Sequence, residues 1–87
     1  VAEALQLKAE YAAYIAVNVG IEADYIEGQE AELVEILAAH PFDYALGSVH
    51  YAYNRNIFNP ARWGFSIERT FAEYYRLVTA AARTGLF

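Results

Sequence analysis

Apolar side chains in this sequence switch repeatedly between a spacing of three to four residues and a spacing of two, with little punctuation between. Residues 2–14 (AEALQLKAEYAAY) are rich in strong helix formers, and Ala4, Leu7, Tyr11 and Tyr14 share one face. That spacing predicts a helix with a single buried side. From Ile15 to Ile26 the period becomes two. Val17, Val19, Ile21, Ala23 and Tyr25 fall on one side, and Asn18, Gly20, Glu22 and Asp24 on the other, which predicts a strand with one polar face. Residues 29–39 (QEAELVEILAA) return to helical spacing. Their acidic groups sit in the first turn, where the helix dipole favours them, and Leu33, Ile36 and Leu37 form the apolar stripe. His40-Pro41 ends that helix, because a residue before proline avoids the helical region. Residues 43–51 (DYALGSVHY) predict a second strand, apolar on both faces as buried parallel strands are. A loop with turn residues follows over 52–65. Ser66 then caps a helix running through Thr84, with Gly85 just past its end. Ile67, Phe71, Tyr74, Tyr75, Val78, Ala81 and Ala82 form its predicted stripe, and Leu86-Phe87 reads as the opening of a third strand.

The order helix–strand–helix–strand–helix predicts an α/β fold, with its strands parallel and joined by right-handed crossovers. Two parallel strands can neither close a barrel nor cover both faces of a sheet. The expectation is therefore that residues 1–87 form a central slice of one larger α/β domain, whose flanking strands and helices are missing. Composition points the same way. The chain is 57% hydrophobic, against roughly 45–50% for soluble domains, it contains no methionine, and it opens at Val1. The absence of cysteine rules out a disulfide framework, a thiolate metal site and a cysteine nucleophile. A net charge of −5, with the basic residues scattered, argues against a nucleic-acid partner. No apolar run approaches the roughly 20 residues that span a bilayer. The expectation is a cytoplasmic chain with no membrane partner.

Glu22 and Asp24 lie two apart on the first strand, so both carboxylates leave the same face. Near the C-terminal end of a parallel strand, that face meets the loops where α/β enzymes keep their sites. The pair suits a hard or borderline cation or an acid–base couple; it equally suits a solvated surface strand. His50 closes the second strand, where an imidazole can serve as metal ligand or general base, or simply as a satisfied polar residue. Adjacent parallel strands, about 4.8 Å apart, are expected to bring Glu22 and His50 to one rim. Carboxylate and imidazole together suit zinc, manganese or iron, although two ligands are too few for a complete site. Ser48 lacks the G-x-S-x-G context of a nucleophile elbow, and its small size is read as close packing inside a barrel. Arg55 and Arg62 are candidates to grip a phosphate in bidentate fashion, beside the plainer reading of two surface arginines. His40, at a helix end, is assigned no chemistry.

Gly20-Ile21-Glu22-Ala23-Asp24-Tyr25 resembles the G-[IL]-E-x-D segment of the polymerase-and-histidinol-phosphatase (PHP) family. Phe42-Asp43-Tyr44-Ala45-Leu46-Gly47-Ser48-Val49-His50 resembles that family's FDY-x-[IL]-GSVH segment. The spacing between the two, and the tyrosine-rich helix ending in Thr84-Gly85-Leu86-Phe87, are similar to the histidinol-phosphatase branch. The resemblance runs from Val19 onward. It implies a distorted TIM-like barrel of seven strands and seven helices. It also implies hydrolysis of a phosphate monoester, L-histidinol phosphate of histidine biosynthesis, at a site holding several divalent transition metals. By the same resemblance Glu22 and His50 are metal ligands; Asp24 matches no secure ligand of the family and is expected in a supporting role. The family's His-x-His, further histidine and His-x-Asp motifs do not occur in these 87 residues. The remaining ligands are thus expected from other barrel segments, and the 87 residues alone are expected to be inactive. Two alternatives stay open: another PHP-type phosphoesterase, acting on nucleotides or other phosphate esters, or an inactive packing unit.

Overall fold

The computed structural model describes residues 1–59 and 64–87. Its elements are α1 (Ala2–Glu10), β1 (Gly20–Asp24), α2 (Glu30–Ala38), β2 (Tyr44–Ser48), β3 (Tyr51–Ala52), β4 (Arg55–Asn56) and α3 (Ile67–Arg83). Strands β1 and β2 pair in parallel, from Gly20 opposite Tyr44 to Asp24 opposite Ser48, with α2 as the crossover. The result is a mixed α/β chain. Among the described residues, no helix is long and apolar enough to cross a membrane.

The strand alternation is realised as read: Val19, Ala23 and Tyr25 are buried, while Glu22 and Asp24 are exposed. The ladder is shorter than the alternating run because β2 offers only five residues to pair with. Asp43 extends the pairing by one step. Its amide donates to the Val19 carbonyl at 2.7 Å, and its carboxylate accepts from the Val19 amide at 2.7 Å. Tyr25, Val49, Ala52, Leu77 and Ala81 form the core between the strand ends and α3.

Several expectations need correction. Helix α1 ends at Glu10 and buries none of its residues; Tyr14 is 82% exposed. No described element covers its apolar face, and Lys8 ties it to Asp43 at 2.6 Å. The segment read as a plain loop contains a minimal antiparallel hairpin, β3–β4, turning at Tyr53 and Asn54, which both have positive φ. That pair of conformations is the type I′ turn, which matches the twist of the flanking strands. On α3, Ser66 caps as expected, its Oγ accepting from the Arg69 amide at 3.2 Å. The buried residues of α3 are Thr70, Leu77 and Ala81, whereas Ile67, Phe71, Tyr75 and Val78 of the predicted stripe are exposed. The helix is apolar on two sides, and one small core covers only one of them. Leu86-Phe87 forms no strand; the Phe87 ring instead lies where a side chain on Gly47 would sit, 2.7 Å from its Cβ position.

Candidate functional site

Parallel register puts paired residues on the same side of a sheet. Gly20 and Tyr44 show this directly: the Tyr44 ring lies 2.3 Å from where a Gly20 Cβ would be. Two residues further, Glu22 stands beside Leu46, and beyond them Asp24 stands beside Ser48. The open face of the sheet thus carries Glu22, Asp24 and Ser48, with His50 just past the end of β2.

Three of these side chains meet. The Ser48 hydroxyl donates to Asp24 Oδ1 at 2.8 Å, and His50 Nδ1 is hydrogen-bonded to the same oxygen. Main-chain bonds hold this corner from both sides. The Tyr25 amide donates to the Ser48 carbonyl at 2.7 Å, and the Ile57 amide donates to the His50 carbonyl at 2.9 Å. Beyond the ring, Phe58 packs against His50 with centroids 5.6 Å apart. The side chains of His50 and Asp24 are 31% and 37% exposed, so the cluster is fixed in place yet open to a ligand.

The expected meeting of Glu22 with His50 does not occur. Glu22 pairs with Leu46, four positions before His50, which is roughly 13 Å of strand rise. The two share a face and differ in level; Asp24 is the carboxylate that reaches the imidazole. Ser48, read from sequence as a packing residue, is a hydrogen-bonding member of the cluster. The signal was present in the sequence, since Asp24 and Ser48 each stand at or near a strand end, but only register pairs them. Arg55 lies on β4 and lines a depression with Asn54, Asn56, Phe58 and Asn59, so Phe58 links it to the edge of the cluster. Arg62 lies outside the described residues.

Among the described residues, no three histidine or acidic side chains converge on one point that can hold a metal ion. The donor chemistry on the open face, carboxylate oxygen with imidazole nitrogen, nevertheless suits zinc, manganese or iron. These residues fit part of a ligand set.

A second polar cluster lies toward α3. Arg76 donates to both oxygens of Glu27, at 2.8 and 2.9 Å, and to both of Glu73, at 2.7 and 2.9 Å. Those hydrogen bonds hold both carboxyls below the usual glutamate range. Tyr25, buried beneath, donates to Glu30 at 2.9 Å, and burial followed by that bond pushes its phenol up. This cluster joins α3 to the segment before α2, and its Tyr25, Glu27 and Arg76 line open depressions on either side of the clasp.

Over 91 aligned positions that take in its whole length, the chain is 36% identical to a Deinococcus radiodurans protein named "Probable histidinol-phosphatase". The chain spans 35% of that relative's length. No family model matches the chain, and no solved structure matches it.

Proposed function

We propose that residues 1–87 form the central slice of a PHP-type barrel domain, and that the protein containing them hydrolyses a phosphate monoester. The substrate in this reading is L-histidinol phosphate, in cytoplasmic histidine biosynthesis. The observation that carries it is the whole-length similarity to a probable histidinol-phosphatase. The geometry supports it: Glu22, Asp24 and His50 occupy one open face toward the C-terminal ends of paired parallel strands, where α/β barrels place their sites.

In this reading Glu22 and His50 hold divalent transition metals, zinc, manganese or iron. Further ligands would come from other barrel segments. Such metals neutralise charge on the phosphate oxygens and activate water for attack. Arg55 carries the planar donor fork that suits a phosphate, and Arg62 is a second candidate by residue type alone. Asp24 and Ser48 orient the imidazole. The 87 residues alone then lack enough ligands for tight metal binding or turnover.

The test is a substrate panel on metal-reconstituted protein that includes this sequence within its complete domain. Histidinol phosphate is expected to be turned over with the highest kcat/KM. Preference for a nucleoside monophosphate would assign a different phosphoesterase of the same type. No hydrolysis of any phosphate ester, with metal bound, would end the phosphatase reading.

A further inference from the structure

The bond between Asp24 and His50 decides which nitrogen of the imidazole is free. We infer that Asp24 is a positioning residue: its carboxylate accepts the proton on His50 Nδ1 and thereby leaves Nε2 unprotonated as the nitrogen offered to a metal ion. The metal in this statement rests on the reading proposed above; the tautomer does not.

An ionised carboxylate has lone pairs and no proton, so a nitrogen bonded to it must be the donor. His50 Nδ1 contacts Asp24 Oδ1, hence Nδ1 carries the hydrogen. In a neutral ring the lone pair then belongs to Nε2. Free imidazole side chains in water favour the opposite arrangement, with hydrogen on Nε2, so the carboxylate has a preference to overcome. Ser48 assists by donating to the same Oδ1 at 2.8 Å, which restrains the carboxylate's rotation. The strand register sets this up, because Asp24 faces Ser48 and His50 follows two residues later on the same face. Fixing a ligand histidine through its other nitrogen is a common device in metal sites, and losing the outer partner costs about 10–100-fold in metal affinity. A plain cross-strand ion pair, by contrast, requires no particular tautomer once the ring is neutral.

The experiment labels with 15N the histidines of the metal-free protein that contains this sequence within its complete domain, assigns His40 and His50, and reads their ring tautomers at about pH 9, above the usual imidazole range. Self-associated material is read by magic-angle spinning, so association does not block the measurement. His40, which bonds no carboxylate among the described residues, serves as the reference within the same spectrum. His50 is expected as the Nδ1–H tautomer in the unmodified chain and in Ser48→Ala, and as predominantly Nε2–H in Asp24→Ala. Asp24→Glu, which restores an acceptor, is expected to recover part of the Nδ1–H signal. An Nε2–H tautomer in the unmodified chain overturns the inference without reference to any variant. So does an unchanged Nδ1–H tautomer in Asp24→Ala. A second readout is zinc affinity, by chelator competition, in the protein that contains the complete domain, where Asp24→Ala is expected to lose 10–100-fold. Tautomer control without phosphatase activity would remove the proposed function and leave this inference standing; activity with the wrong tautomer would do the reverse.

Discussion

Glu22 and His50 illustrate how a single residue's role depends on atoms far away in sequence. Each is an exposed or half-exposed donor, and neither touches the other. In the complete, metal-reconstituted protein, Glu22→Gln and His50→Ala are each expected to lower phosphatase turnover at least about 100-fold, or about 2.7 kcal/mol. Gln keeps the shape of Glu22 while removing its charge, and circular dichroism is expected to stay unchanged. Asp24→Asn is expected to cost less, because Asp24 acts through His50. Retention of more than about a tenth of wild-type turnover by either ligand variant would refute that residue's assignment. A stability effect of a different kind sits at Gly85, whose φ of 70° is left-handed and which has no heavy atom within 4 Å of its Cβ position. Gly85→Ala therefore costs backbone strain alone, about 1 kcal/mol, read as a lower urea midpoint for loss of helix signal. Gly85 was legible in the sequence because the demand at a helix end is local. The Asp24–His50 bond was not, because it depends on the pairing of two strands.

At the scale of elements, α3 has the most local support. Ser66→Ala removes the oxygen that accepts from the Arg69 amide, at a cost of about 1 kcal/mol. Amide exchange in the first turn of α3 is expected to quicken roughly fivefold. Arg76 joins this helix to Glu27 in the segment before α2, and also binds Glu73. Both glutamates are held below their ordinary range by Arg76. A carboxyl with a depressed value in the folded state contributes stability that is present above its unfolded value and is lost as pH falls through the depressed one. The clasp is therefore expected to release in acid, below the ordinary glutamate value of 4.5, and to weaken in high salt because it is exposed. The shift of the Arg76 Nε–H resonance follows it; a shift independent of pH down to about 3 would contradict it. The β3–β4 hairpin was not legible. Its turn carries tyrosine and asparagine at positive φ where glycine is the usual marker. Tertiary contacts hold it there: the Tyr53 and Phe65 rings lie 4.5 Å apart, with the Arg69 guanidinium 4.3 Å above Phe65.

The whole molecule is extended for its length. Its radius of gyration is 16.5 Å, where a compact chain of 87 residues has about 12 Å. Its accessible surface is 6316 Å², against about 5,200 Å² for a compact monomer of 9.8 kDa. Much of the excess is apolar, including Tyr14, Leu46, Phe58, Phe71 and Tyr75. Exposed apolar area of this kind, beside a two-stranded sheet whose outer edges pair with no other described strand, drives association. The isolated chain is expected to self-associate. Light scattering coupled to size-exclusion at high micromolar concentration tests this, and a sharp monomer peak together with a cooperative melt would contradict it. Within a complete barrel, the same faces are expected to be covered.

The order of the three helices and of the two paired strands, their parallel pairing, the buried side of β1 and both ends of α3 were readable from the residues alone. Each follows from short-range information: period, capping chemistry and the length of the crossover. Tertiary structure alone decided which carboxylate meets His50, which side of α3 is buried, and that Tyr53 and Asn54 adopt a left-handed turn. Those outcomes depend on register and on which surfaces find a partner. In parallel strands joined by a helix, a shift of two residues keeps every side chain on its face yet changes every neighbour across the ladder, so periodicity places Asp24 and His50 on one face without pairing them.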